Sequence, residues 1–216
     1  MNAQFPYQYI TIEGNIGSGK TSFCQKMAEH YDLELILEEF ADNPFLPHFY
    51  ENPTRYALPV ELFFMTERYN QLSENVQSGH LFSSLVLADY FFDKTRLFAR
   101  NNLNDMEFKL FDQIYNTLAP HLRPPGLLVY LHRPVEQLKA NINKRGRTYE
   151  QQISQQYLRS IQDVYFDYFR LDLDFPVVIV NVEHLNFTES EADFHKITEL
   201  LNRNYSKGIH RVSFIH

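Results

Sequence analysis

ITIEGNIGSGKTS, residues 10–22, carries a short apolar run into a glycine-rich turn that ends on a lysine and a hydroxyl. Gly14 to Thr21 match G-x-x-x-x-G-K-[ST] at every fixed position, with an apolar strand pattern before them and a helical pattern after them. The chemistry explains the residue types. Successive backbone N–H groups must point inward at phosphate oxygens, and glycines allow that path without a Cβ clash. The helix that begins near Lys20 adds its positive N-terminal end. The stretch is therefore expected to bind a nucleotide through Gly14, Asn15, Ile16, Gly17, Ser18, Gly19, Lys20 and Thr21. Lys20 reaches the β/γ-phosphates and the Thr21 hydroxyl binds Mg²⁺.

Working outward, four further apolar runs lie at Leu35–Leu37, Ser84–Ala88, Leu127–Leu131 and Val177–Val180, besides Tyr9–Ile12 itself. Each is short and nearly continuous, as strands covered on both faces are. Helical spacing fills the gaps: Phe23, Met27 and Tyr31; Leu58, Leu62, Met65 and Tyr69; then Phe108, Phe111, Ile114, Tyr115 and Leu118. Alternation of this kind predicts one three-layer α/β domain over residues 1–216. A parallel sheet of about five strands has helices on both faces and ligands at the strands' C-terminal ends.

The remaining composition narrows the function. A net charge of −7 argues against a non-specific nucleic-acid binder, and a single cysteine, Cys24, fits a reducing compartment. No signal peptide and no apolar stretch of about 20 residues is visible, so the chain reads as cytoplasmic, with no membrane partner. Asp89 closes the run SLVLAD and is the strand-end carboxylate expected near Mg²⁺. NINKRGR brings Lys144, Arg145 and Arg147 around a glycine, the composition of a short lid that could place guanidinium groups on a transferring phosphoryl. LILEEFADNPF ends its strand on Glu38 and Glu39. A phosphoryl acceptor needs a base there, and the residues alone leave the choice between the two open.

Together these stretches resemble the deoxyribonucleoside kinase family, in the expected order from about Tyr9 to Phe187. The resemblance implies Mg²⁺-dependent transfer of the γ-phosphate of ATP to a deoxynucleoside 5′-hydroxyl, in nucleotide salvage. In EEFADNPFL it places the general base on Glu39, with Phe40 where a proline usually stands. In FYENPTRY and VELFFMTERYNQL it places Tyr50 on the sugar 3′-hydroxyl, Glu61 at the base-reading position and Arg68 behind it. In KRGRTYE it puts Arg145 and Arg147 on phosphates and Glu150 on the 3′-hydroxyl, with Tyr157 near the substrate. VEHLNF resembles the loop on the donor's adenine, involving Asn186 and Phe187. Relatives are commonly homodimers.

The chain departs from the family pattern at three places. Ala88-Asp89-Tyr90 lacks the arginine that usually follows the acid, leaving Lys94 or Arg96 to replace it. Asn141 takes the place of the first lid arginine. Glu61 stands where many relatives have glutamine. Phe64 and Phe92 are the candidate stacking partners for the base. Against a nucleoside monophosphate kinase, the acceptor region from Glu39 to Glu67 has one cationic side chain, Arg55. Against a nucleotide-binding regulator, no N-K-x-D motif is present and the lid would go unexplained. For the base itself, an ionised Glu61 only accepts hydrogen bonds and would repel thymine's two carbonyls. A purine is therefore expected, deoxyadenosine slightly ahead of deoxyguanosine, with Arg68 free to engage Glu61.

Overall fold

The computed structural model describes residues 5–38, 43–77 and 85–214. In chain order the elements are β1 (Tyr9–Glu13), α1 (Lys20–His30), β2 (Leu33–Ile36), α2 (Leu46–Glu51), α3 (Pro53–Gln77) and β3 (Leu85–Ala88). There follow α4 (Lys94–Asn102), α5 (Asp105–Leu118), β4 (Leu127–His132), α6 (Val135–Arg145), α7 (Gln155–Tyr168), β5 (Pro176–Asn181), α8 (Glu191–Leu201) and β6 (Gly208–Ser213). All six strands are parallel, in the order β2-β3-β1-β4-β5-β6.

The five expected strands are all present, and β6 is a sixth. Its sequence, GIHRVS, is polar, and its residues are half-buried or exposed along an edge. It therefore lacks the apolar run that marks β1, whose five residues are all buried. The sheet is covered on both faces, as its apolar strands require. One buried cluster packs Val86, Ala88 and Tyr90 against α2, α3 and α5. Another packs Ile10, Ile12, Val129 and Val180 against α1 and α8, through Phe23, Met27, Phe194 and Ile197. No helix among the described residues is long and apolar enough to cross a membrane.

The topology fixes where a ligand can sit. The chain leaves β1 for β2 on one side, whereas neighbouring β4 leads to β5 on the other. A crevice opens at the carboxyl ends where the two connections diverge. Register aligns the acid-bearing ends: Ile36 of β2 lies beside Ala88 of β3, so Glu38 and Asp89 emerge together next to the turn that follows Glu13.

Candidate active site

The turn after β1 is built as its residue types require. Gly14, Gly17 and Gly19 all have positive φ, with Gly17 at 82° and Gly19 at 94°. A Cβ on Gly17 would lie 2.7 Å from the Leu138 carbonyl oxygen, and one on Gly19 would lie 2.9 Å from the Phe187 ring. Both positions thus need glycine for conformation and for space. Glu13, fully buried, anchors the start of the turn. It accepts from Gly14 N at 3.0 Å, from the Tyr165 hydroxyl at 2.8 Å and from Phe91 N at 3.3 Å. Burial raises its carboxyl, against the pull of Lys94 and Lys20. Asn15 clamps the turn to α7 by donating to the Leu158 carbonyl at 2.7 Å. The Ser18 hydroxyl is buried and has no hydrogen-bond partner among the described residues, an orphan that a phosphate oxygen would satisfy.

Two cavities meet at this turn. One is bounded by Gly17, Ser18, Gly19, Asn141, Lys144, Arg145, Asn186 and Phe187; of the expected donor-binding residues it brings together Gly17, Ser18, Gly19, Asn186 and Phe187, while Gly14, Asn15, Ile16, Lys20 and Thr21 do not line it. Phe187 is 2% exposed and packs edge-on against Phe23 at 5.8 Å, so most of its ring belongs to the core beneath the cavity. Arg133, at the end of β4, joins this wall with its guanidinium 5.7 Å from the Phe187 ring centre. Sequence reasoning missed Arg133, although its place just past a strand flanking β1 was a usable signal. Asn141, which replaces a lid arginine, donates to the Gly17 carbonyl at 2.9 Å and so braces the turn.

The other cavity lies among β2's end and helices α2, α3, α4 and α7. Its walls include Lys20, Glu38, Tyr50, Glu61, Phe64, Arg68, Lys94, Asn102, Arg145, Glu150 and Tyr157. Tyr50, Glu61, Arg68, Glu150 and Tyr157 therefore converge as expected, and Phe64 lines the same space. Phe92 does not. It stacks on Tyr115 at 5.3 Å in the core behind α3.

Charge pairing inside this cavity differs from the expectation. Arg68 does not engage Glu61: its Nε and Nη2 donate to Glu38 Oε1 at 2.7 and 2.5 Å, and its Nη1 to the Thr95 hydroxyl at 2.9 Å. Lys94 completes the set, with Nζ 2.6 Å from Glu38 Oε2. Arg96 lies outside, pairing with Asp112, so of the two candidates Lys94 is the one that lines the cavity. Burial alone would raise the Glu38 carboxyl, but Arg68, Lys94 and Lys20 outweigh it and bring it down to about 2. Lys20 moves the other way. Burial and the Lys94 charge lower it to about 8, against Glu13, Glu38 and Asp89. Glu39 lies outside the described residues.

Asp89 sits at the foot of the turn with both carboxylate oxygens engaged. One accepts from Glu38 N at 2.7 Å and the other from the Thr21 hydroxyl. Two hard oxygen groups thus lie side by side where the phosphates would end, the donor chemistry that Mg²⁺ prefers when waters and phosphates complete its shell.

The lid follows from a helix stop. Gly146 caps α6 at φ 75°, which reverses the chain after Arg145. Both lid arginines then turn onto Glu150, Arg147 at 3.1 Å and Arg145 in a close ion pair. Arg145 borders both cavities. Tyr50 stacks on Tyr149 of the same segment, 6.2 Å between centres and 12° between planes.

This arrangement has relatives. The family model "Deoxynucleoside kinase" matches residues 10–205. A deoxyguanosine kinase of Bacillus subtilis (strain 168) is 30% identical over 193 residues, covering 88% of this chain and 93% of its own length. A deoxyadenosine/deoxycytidine kinase of the same organism is 23% identical, covering 88% and 89%. Among solved structures, a deoxyadenosine kinase from M. mycoides with bound dATP superposes with a TM-score of 0.77 at 20% identity, over 90% of this chain and 99% of that one. With the family model matched over residues 10–205 and a relative 30% identical over most of both chains, the chain belongs to the deoxynucleoside kinase family and is a phosphotransferase.

Proposed function

We propose that the protein transfers the γ-phosphate of ATP to the 5′-hydroxyl of a purine deoxynucleoside, and that Glu38 is the general base. The observation that carries this reading is the junction of the two cavities. Gly17 to Gly19 face the donor side, Glu38 and Lys20 face the enclosed acceptor side, and Arg145 borders both.

Glu38 is 6% exposed and ionised at neutral pH. It holds the acceptor hydroxyl by accepting its hydrogen bond, and takes its proton as the phosphoryl group leaves ATP. A carboxylate held this low is a weak base. The loose transition state of phosphoryl transfer asks mainly for position and charge neutralisation, so the weakness is tolerable. Lys20 and the lid arginines supply positive charge where it develops on the phosphoryl oxygens. Thr21 and Asp89 would hold Mg²⁺, which would supply positive charge against the phosphate oxygens. Tyr50 and Glu150 take the 3′-hydroxyl. The apolar wall of Leu46, Phe49, Val60 and Phe64 admits a base. The cavity is closed by carboxylates and a tyrosine at its sugar end, which suits a neutral nucleoside better than a monophosphate.

The test sets the four deoxynucleosides and their monophosphates side by side with ATP and Mg²⁺. Deoxyadenosine and deoxyguanosine should be phosphorylated faster than thymidine and faster than any monophosphate. A thymidine kcat/KM above both purine values would refute the purine assignment. Glu38→Gln should lower kcat by about 10²–10⁴-fold with ATP binding retained. The converse result, a near-normal Glu38→Gln beside an inactive Glu39→Gln, would return the base to Glu39.

A further inference from the structure

Glu61 presents an unfinished hydrogen-bond arrangement to the acceptor cavity. Its carboxyl is 2% exposed. Oε1 accepts from Asn102 Nδ2 at 2.7 Å, whereas Oε2 is buried with no hydrogen-bond partner among the described residues. A buried carboxylate oxygen left this way is costly unless a ligand meets it. The charged and titratable groups around it come from every packed element: Arg68 on α3, Glu38 after β2, Lys94 on α4 and Tyr157 on α7. Arg68 and Lys94 both bond to Glu38. Glu61 has no cationic partner at bonding distance among the described residues.

We propose that Glu61 reads the nucleobase in two protonation states, pairing with adenine when neutral and with guanine when ionised, so that the preferred purine changes with pH. The inference rests on the purine reading above and deepens it. Asn102 faces Oε1 with a donor, so a proton on the carboxyl belongs on Oε2. The neutral group then offers Oε2–H to adenine N1 while Oε1, with a lone pair to spare, accepts from the 6-amino group. The ionised group offers only acceptors, which match the parallel N1–H and 2-amino donors of guanine. Cytosine carries the same donor-beside-acceptor edge as adenine and must follow it. Burial supports a switch in the working range: it raises the carboxyl to about 7, against Asn102, Arg68 and Lys94, so both forms are populated near neutrality. Asn102 is the positioning residue that sets which oxygen carries the proton.

The experiment measures kcat/KM for deoxyadenosine, deoxyguanosine and deoxycytidine across the neutral pH range, in the wild type and in Glu61→Gln. Titration of Glu38 or Lys20 affects all three substrates alike and cancels in their ratios. The adenosine-to-guanosine ratio should fall with rising pH, approaching about tenfold per pH unit if each purine binds a single protonation state. Deoxycytidine should track deoxyadenosine. In Glu61→Gln the ratio should be flat, because an amide does not titrate in this range. Turnover of both purines at a pH-independent ratio overturns this inference alone, as does a wild-type slope that survives in Glu61→Gln. Turnover of neither purine at any pH overturns the substrate reading and takes this inference with it.

Discussion

Replacing Lys94 by methionine removes one cation from the most buried charged cluster in the site while keeping the volume of the side chain. Glu38 and Lys94 are 2% and 3% exposed in their side chains and 2.6 Å apart. Breaking a buried pair from one side generally costs about 3–5 kcal/mol, because the other charge is stranded. Here Glu38 keeps Arg68, bonded through two nitrogens, and Lys20 is relieved of a neighbouring positive charge. The lower end applies, about 3 kcal/mol, which for a chain of this length is a fall in Tm of roughly 6–12 °C. The Glu38 carboxyl should move up from about 2 and the Lys20 ammonium up from about 8.

Thermal unfolding and the acid limb of the kcat/KM profile read both effects, the limb shifting to higher pH as Glu38 becomes easier to protonate. The decisive control is the same substitution in Glu38→Gln. Without the carboxylate, Lys94 is itself an unneutralised buried cation, and removing it should cost little or even stabilise. Penalties that add within about 0.5 kcal/mol would show no coupling between the two residues. That result, or an acid limb that stays in place, would refute the assignment of Lys94 as the partner that holds Glu38 ionised.

Other outcomes follow from the same geometry. Arg145→Ala and Arg147→Ala should lower kcat by about 10²-fold or more while nucleoside binding weakens less, since their charge matters most as the phosphoryl group transfers; intact kcat in both would leave the lid a solvated helix end. Gly19→Ala should weaken ATP binding and destabilise the fold by about 1–3 kcal/mol, from the left-handed backbone and the approach to Phe187, and an unchanged ATP Kd would contradict the tight packing. Glu61→Gln should alter the pH dependence of stability. The folded carboxyl sits at about 7 against an ordinary 4.5, so the neutral form is favoured by folding. Its stabilisation is complete below about 4.5 and is lost as pH rises to about 7, a change of about 3 kcal/mol. The variant should therefore gain on the wild type across that window, as urea unfolding at several pH values would show.

How far the sequence alone reaches depends on the range of the interaction. The nucleotide turn is local: its glycines, Lys20 and Thr21 are read within eight residues, and the glycines take the positive φ their spacing predicts. The lid is also local, because Gly146 follows Arg145 directly and stops α6 there. Apolar runs reveal β1 to β5, whereas β6 escapes because an edge strand with a wet face needs few apolar residues.

The identity of the carboxylate in the acceptor cavity is different in kind. Glu38 and Glu39 are adjacent and chemically identical, and alternation along an extended chain sends neighbours to opposite sides, so local pattern cannot say which faces inward. What places Glu38 in the cavity is its company: Arg68 lies 30 residues on and Lys94 56 residues on, in helices whose positions depend on the whole sheet. The same holds for Glu61, completed on one side by Asn102, 41 residues away in a stretch, RNNLND, that reads locally as a helix stop. Arg68 could serve either acid by spacing alone. It can neutralise only one at bonding distance, and its choice of Glu38 has two consequences. Glu38 is held as an anion, while Glu61 is left without a cationic partner at bonding distance among the described residues. Arg68 and Lys94 together hold Glu38 as an anion while burial raises the Glu61 carboxyl, so the two carboxylates differ in charge state, as the proposed roles of hydroxyl acceptor and base reader require.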